Sequence, residues 1–178
     1  MSTARLATTS SPQKARRGIP QGRSSVNGRQ AKPRVQLFTI GYEGKTIHSF
    51  LDRLAGAEVQ VVVDVRELPL SRKPGFSKSR LHETLTAQGI EYVSLAELGS
   101  PRHLREELRA EGDYDAFFAA YREHLREREG LLATLLSLLP EQTVCLMCYE
   151  ADPGKCHRSE IAAELQRHNG KELEVRHL

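Results

Sequence analysis

The chain has 178 residues and a mass of 20.0 kDa, which is enough for one domain of ordinary size with its own core. Charged residues make up 28%, the mean hydropathy is -0.48, and no apolar run approaches the roughly 18 residues of a membrane-spanning helix. The N-terminus lacks the apolar segment of a secretory signal, and the three cysteines are an odd number. We therefore expect a cytoplasmic protein with reduced thiols and no membrane partner.

The first 34 residues differ in composition from the rest of the chain. They contain eight basic residues and no acidic residue, and they show no periodic apolar pattern. Such a segment cannot bury enough apolar surface to offset the entropy of ordering it. We predict a disordered basic leader over residues 1–34 and a single α/β domain over residues 35–178. The basic residues within 5–34 either contact nucleic acid or form only a solubilising tail.

From Val35 onward, short apolar runs alternate with amphipathic segments. The β-branched run at 59–65 is typical of a strand buried on both faces, and we place it at the sheet centre. The predicted strands are 35–42, 59–65, 90–95, 143–149 and 172–176. The predicted helices are 46–56, 79–88, 113–125, 130–139 and 157–168. Strands separated by helices pair in parallel, so we predict an α/β three-layer sandwich with a Rossmann-like, mostly parallel sheet of about five strands.

Polar side chains follow the predicted strands at the point where each strand ends. In an open parallel sheet the carboxyl ends of the strands share one edge, and ligands bind there. The first and fourth strands must be neighbours for this edge to form one site. The residues expected in that common region are Tyr42, Asp64, Arg66, Glu150, Cys156, His157 and Arg158.

The same residues lie in motifs that resemble a known family. The motifs are TIGYEG (39–44), VDVRELPLSRKPGFSK (63–78), ELGS (97–100) and LMCYEADPGKCHRSEIA (146–162). Over about residues 37–168 they resemble the family called domain of unknown function 488. The resemblance implies a compact α/β domain in prokaryotes, and it implies no particular reaction.

The cysteines and His157 form the pattern C-x2-C-x7-C-H, which superficially suggests zinc. However, Cys145 and Cys148 lie in a predicted strand, where residues three apart point to opposite faces. We therefore predict no metal site, and we interpret Cys145 as a buried core residue.

Cys156 comes directly before a predicted helix and beside three basic side chains, which are Lys155, His157 and Arg158. A helix N-terminus and nearby cations both favour the thiolate, so Cys156 is a candidate nucleophile with a lowered pKa. The alternative is that Cys156 packs inward and anchors a loop. His157 is a candidate acid or base near neutral pH.

Asp64 and Arg66 share one face of the second predicted strand. Asp64 is either a general base or the partner that holds an arginine in place. Arg66 and Arg158 together suit a phosphate or carboxylate, because each guanidinium makes paired hydrogen bonds. The alternative is a buried ion pair that ties the loop to the sheet. In that loop, Phe76 is placed either to stack on a base or to fill the core.

These patterns favour a small enzyme that binds its substrate at the carboxyl edge of the sheet. The substrate is phosphorylated or nucleotide-like, and nucleic acid belongs to this class. The candidate catalytic residues are Asp64, Glu150, Cys156 and His157. The candidate substrate-binding residues are Tyr42, Glu43, Arg66, Ser71, Arg72, Phe76, Cys148 and Arg158. The alternative is a non-catalytic domain that binds or senses a ligand or nucleic acid in the same pocket. Neither a cofactor nor an oligomeric state follows from the sequence.

Overall fold

A computed structural model of the chain describes residues 35–169 and 173–178. The predicted basic leader, with its proposed contact to nucleic acid, lies outside the described residues. No helix within the described ranges is long and apolar enough to cross a membrane.

Over the described residues the chain forms five strands and six helices, which alternate along most of its length. The strands are β1 (Val35–Gly41), β2 (Val61–Asp64), β3 (Glu91–Ser94), β4 (Val144–Cys148) and β5 (Leu173–His177). The helices are α1 (Ile47–Gly56), α2 (Lys78–Ala87), α3 (Arg102–Glu111), α4 (Tyr114–Arg126), α5 (Glu129–Leu138) and α6 (Arg158–Asn169). Short 3-10 turns at Ala96–Leu98 and Pro153–Lys155 complete these elements.

The strands form one parallel sheet in the order β3-β2-β4-β1-β5. This confirms the predicted α/β fold, and it confirms that the first and fourth strands are neighbours. The central strand is β4, whose five residues are all buried. The prediction that 59–65 forms the central strand is therefore wrong, because β2 lies beside the centre. Strand order depends on contacts between distant residues, which a local apolar pattern does not specify.

Helices cover both faces of the sheet and give it three layers. One face packs against α1 and α2 through residues such as Phe50, Leu54 and Leu81. The other face packs against the remaining helices through residues such as Tyr121 and Leu165. In the following text these are the α1–α2 face and the α3–α6 face.

Helix α3 was not among the predicted helices. Its sequence is RHLREELRAE, and Leu104 is the one side chain in it that is buried. Charged side chains form the rest of its surface, including an ion pair of Arg102 with Glu106 at 2.7 Å. The apolar face of α3 consists of Leu104 and Leu108, at i and i+4, in an otherwise mostly charged segment, so its amphipathic pattern is easily overlooked in the sequence.

The loop after β4 passes very close to the end of β1. A Cβ atom placed on Gly41 would lie 1.7 Å from the carbonyl oxygen of Glu150 and 2.5 Å from its carbonyl carbon. Glycine at position 41 therefore permits the close approach that brings Glu150 over the sheet edge.

We expect Gly41→Ala to destabilise the protein by about 1–3 kcal/mol or more, because the Glu150 backbone must move to accept a methyl group. Gly56→Ala is the matched control, since no atom lies within 4 Å of the added Cβ and the residue ends a helix. That control is expected to be neutral or to stabilise by up to about 1 kcal/mol. Urea unfolding measures both, and equal stabilities for the two variants would contradict the close approach at Gly41.

Candidate active site at the carboxyl edge of the sheet

A cavity of about 870 Å³ opens at the carboxyl ends of β1, β2 and β4. Its charged lining is mainly basic, with the cations Arg66, Arg72, Lys73, Arg105, Arg109 and Lys155. The acidic side chains that line it are Glu67 and Glu150. An excess of cations in a cleft raises the local concentration of anionic ligands.

The six cations differ in whether they already have ion-pair or hydrogen-bond partners within the protein. Arg66 and Arg105 have acidic partners, and the ammonium of Lys73 donates to the carbonyl of Tyr42 at 2.9 Å. Within residues 35–169 and 173–178, the other three cations pair with no acidic side chain. These are Arg72, Arg109 and Lys155.

Asp64 is fully buried and holds Arg66 in place. The two carboxylate oxygens accept hydrogen bonds from Nε and Nη2 of Arg66 at 2.8 and 2.5 Å, and Tyr92 Oη donates a third at 2.7 Å. Arg66 Nη1 donates to Tyr42 Oη and to the carbonyl of Phe76. Arg66 and Tyr42 line the cavity, whereas Asp64 lies outside its lining. This geometry corresponds to the ion-pair interpretation of Asp64.

Arg158 lies on the opposite side of the sheet from Asp64. The residue is 1% exposed, and its guanidinium donates to Thr39 Oγ1 and to the carbonyl oxygens of Glu150 and Ala151. Arg158 belongs to α6 on the α3–α6 face, whereas alternation along β2 turns Asp64 toward the α1–α2 face. The expectation that both residues share one region, with Arg66 and Arg158 binding one anion, is therefore wrong.

The other predicted ligand-binding residues divide between the cavity and the core. Ser71 and Arg72 line the cavity, and Ser71 Oγ accepts a hydrogen bond from the backbone of Lys73. Phe76 is fully buried and stacks on Tyr42 with ring centroids 4.4 Å apart, so it fills the core. Glu43 lies outside the cavity lining and accepts a hydrogen bond from the Ala151 backbone at 3.0 Å.

Four chemically active side chains meet at one wall of the cavity. Cys148 ends β4, Glu150 lies in the loop after it, and Cys156 and His157 come between the 3-10 turn and α6. One donor atom from each lies within 4.8 Å of those of the others. We call this group the Cys–His–Glu cluster. Cys148, Glu150 and His157 line the cavity, and Cys156 is buried behind them.

The prediction of no metal site was based on the positions of Cys145 and Cys148 in one strand. Cys145 packs on the α1–α2 face and Cys148 on the α3–α6 face, as the strand geometry predicts. However, the chain returns after the loop, and it places Cys156 and His157 beside Cys148. The C-x7-C-H part of the pattern therefore assembles without Cys145.

The pKa values in this cluster follow from burial and from its internal hydrogen bonds. Burial raises the pKa of Cys156 well above that of an ordinary thiol. Burial also raises the pKa of Glu150, but hydrogen bonds from its own backbone and from the two thiols bring it below the usual value. Burial lowers the pKa of His157, but the interaction with Cys156 and the neighbouring acceptors raise it more.

The prediction of a reactive thiolate at Cys156 with a lowered pKa is therefore wrong. Cys156 is 1% exposed, and α6 begins two residues later, at Arg158. The desolvation of a buried thiolate outweighs the attraction of nearby positive charge. The alternative, in which Cys156 packs inward, describes its position.

Several cavity residues were not among the predicted site residues. Arg105 and Arg109 are four residues apart, so they share a face of α3, but that helix was not predicted. Tyr114 and Tyr149 line the cavity with 37% and 46% of their surface exposed. Nothing in the sequence distinguishes these two exposed tyrosines from aromatic residues of the core. Lys155 was visible only as a neighbour of Cys156.

The fold and the cavity define an α/β domain with a polar, mainly basic site at the carboxyl edge of a parallel sheet. The model of the family described as domain of unknown function DUF488 matches residues 46–165. The chain therefore belongs to the DUF488 family. Neither the curated proteins nor the solved structures gave a significant match.

Proposed function

We propose that this protein is an enzyme that acts on a phosphorylated, nucleotide-like substrate bound in the cationic cavity. The observation that carries the proposal is the convergence of Arg72, Arg109 and Lys155 on one cavity without acidic partners among the described residues. Phosphate oxygens satisfy such cations well, because guanidinium groups bind them through paired, charge-assisted hydrogen bonds.

The aromatic residues at the cavity favour a nucleotide over a bare phosphate. Tyr114 and Tyr149 each expose more than a third of their surface, and Leu70 beside them is 78% exposed. A planar base stacks on such side chains, and stacking contributes about 1–3 kcal/mol per base in single-stranded nucleic-acid complexes. Cations and exposed rings around one cavity match the two ends of a nucleotide.

The chemical step is assigned to the cluster residues that line the cavity. Glu150 and His157 are acid–base groups in contact with that space, which is the first requirement for proton transfer to or from a substrate. Asp64 and Cys156 lie outside the lining, so they act through Arg66 and through the cluster. This leaves two of the four candidate catalytic residues in direct contact with the cavity.

The proposal predicts that nucleoside phosphates raise the melting temperature and that the corresponding nucleosides do not. A ligand at 100 times its Kd stabilises the native state by about 2.7 kcal/mol, which is easily measured. Arg109→Ala and Lys155→Ala are expected to reduce the shift strongly. Arg80→Ala is the matched control, because Arg80 is exposed on α2 and lies outside the cavity lining.

The same panel of nucleoside phosphates distinguishes an enzyme from a sensor. Incubation with each stabilising compound, followed by chromatography, is expected to show turnover that Glu150→Gln abolishes. Binding without turnover would support the alternative, a ligand-sensing domain. The absence of any shift with nucleotides, phosphosugars or inorganic phosphate would overturn the proposal.

A further inference from the structure

We propose that Cys148, Glu150, Cys156 and His157 bind a zinc-class divalent metal ion at the wall of the cavity. This site goes beyond the proposed function: Glu150 and His157 are ligands when the ion is bound and acid–base groups only in its absence. Metal binding does not depend on which anion the cavity takes. The argument uses the separations of the donor atoms, the orientation of the imidazole, and the burial of the group.

All four donor atoms lie within 4.8 Å of one another, and the separations below are close to those of a tetrahedral site. Glu150 Oε2 lies 3.3 Å from Cys148 Sγ and 3.2 Å from Cys156 Sγ. His157 Nδ1 lies 3.8 and 4.0 Å from the same two sulfur atoms. A zinc ion with bonds of about 2.3 Å to sulfur and about 2.0–2.1 Å to nitrogen or oxygen holds tetrahedral ligands about 3.3–3.8 Å apart. Small side-chain adjustments therefore close the site around an ion.

The hydrogen bond of His157 leaves Nδ1 available to bind a metal. Its Nε2 lies 2.9 Å from the carbonyl oxygen of Val65, and because that oxygen only accepts, Nε2 carries the proton. In the neutral ring, the lone pair is then on Nδ1, which lies 4.0 Å from Cys156 Sγ. Cys148 Sγ lies 3.8 Å from Nδ1 and 3.9 Å from Nε2, so a small rotation of the ring is needed to point Nδ1 at an ion between the sulfur atoms. A backbone carbonyl on the other ring nitrogen is the usual outer-shell partner of a zinc-bound histidine.

Without an ion, the polar atoms of the Cys–His–Glu cluster have mostly weak hydrogen-bond partners. Cys148, Cys156 and His157 are each less than a tenth exposed, and the Glu150 carboxylate receives the two thiols as hydrogen-bond donors. A thiol is a weak donor, so these two contacts contribute little to the half-buried carboxylate of Glu150. A dication satisfies the carboxylate, both sulfur atoms and the imidazole at once.

The backbone holds the four ligands from several sides. Cys148 is fixed by β4, and the loop that carries Glu150 is held by Gly41 below it and by the Arg158 guanidinium on its carbonyl. The 3-10 turn at Pro153–Lys155 then leads into Cys156 and His157. A site held by strand, loop and turn is largely formed before the ion arrives.

The donor types select the ion. Two thiolates with an imidazole favour zinc or another soft divalent ion, whereas magnesium and calcium require mainly oxygen ligands. Binding converts both thiols to thiolates and releases their protons. Three of the four ligands line the cavity, so the ion lies against the space that we assign to the substrate.

Cobalt(II) provides the most direct test, because tetrahedral thiolate–cobalt complexes have intense visible and near-ultraviolet absorption. The full chain, reduced and stripped with a chelator, is titrated with cobalt(II). We expect one ion per chain and a spectrum that zinc displaces. Cys148→Ser, Cys156→Ser and His157→Gln are each expected to lose stoichiometric binding, and Glu150→Gln to bind more weakly with an altered spectrum.

Cys145→Ser is the matched control, since Cys145 is an equally buried thiol of β4 on the opposite face. It is expected to retain the cobalt spectrum. A wild-type protein that shows no thiolate–cobalt absorption, or the loss of that absorption in Cys145→Ser with retention in Cys148→Ser and Cys156→Ser, would overturn the assignment.

A second measurement uses only the wild-type protein, so its result does not depend on whether the variants fold. Zinc is expected to slow iodoacetamide labelling of Cys148, which lines the cavity, severalfold in the native protein, and chelation is expected to restore it. Peptide mapping identifies the labelled thiols. Labelling that zinc does not change, or a Cys148–Cys156 disulfide that forms in place of metal binding under reducing conditions, would refute the site.

Discussion

Asp64→Asn is expected to cost about 3–5 kcal/mol of stability, because it leaves the buried Arg66 guanidinium without a counter-charge. Asp64 is 0% exposed and accepts two hydrogen bonds from the Arg66 guanidinium, one from the Arg66 backbone and one from Tyr92. An Asn side chain replaces one acceptor oxygen with a donor and removes the negative charge. Arg66 then loses the contact that orients it toward Tyr42 and the cavity.

Chemical denaturation with urea measures this loss, and an exposed ion pair supplies the control. Glu83 pairs with Arg80 at 3.0 Å on the surface of α2, with 63% of the Glu83 side chain exposed. Glu83→Gln is expected to cost less than about 1 kcal/mol, as exposed pairs usually do. Similar losses for Asp64→Asn and Glu83→Gln would show that the buried pair contributes no more than a surface pair.

Arg158→Met is expected to destabilise the protein by about 3–5 kcal/mol, because it breaks charge-assisted hydrogen bonds worth about 1.5–3 kcal/mol each. The carbonyl oxygens of Glu150 and Ala151 lose their donors, and so does Thr39 Oγ1. The same loop carries the Glu150 carboxylate. We therefore expect this variant to weaken cobalt(II) binding as well as the fold.

Arg167→Met is the control within the same helix. Arg167 lies on α6 with 59% of its side chain exposed and pairs with Glu164. Surface substitutions of this kind change stability by about 0.5 kcal/mol or less. If Arg158→Met behaves like Arg167→Met and retains cobalt(II) binding, Arg158 does not support the loop.

The sequence predicts the elements of this fold better than their arrangement. A β-branched run at 59–65 and periodic apolar residues such as Phe50 and Leu54 encode strands and helices locally. Helix α3 was not predicted because its apolar face consists of two leucines, Leu104 and Leu108, in a mostly charged segment. The central place of β4 results from pairing with both β1 and β2, which are distant in the sequence.

The candidate site was predicted in part, for reasons that particular residues illustrate. Strand alternation correctly separates Cys145 from Cys148 and places Asp64 on the α1–α2 face, but it says nothing about the side from which Arg158 approaches. Arg158 is on a helix, and its side chain reaches the sheet edge from the α3–α6 face. The return of Cys156 and His157 to Cys148 depends on loop geometry, which spacing alone does not give.

Affinity labelling tests the central claim, a nucleotide-like ligand in the cationic cavity, most directly. A periodate-oxidised ribonucleotide forms an imine with a nearby lysine, and reduction then fixes it for peptide mapping. We predict preferential labelling of Lys155 in the cavity, suppressed by excess unmodified nucleotide, with little labelling of Lys78, which is also exposed but lies outside the lining. Equal labelling of Lys155 and Lys78, unaffected by competing nucleotide, would contradict the claim.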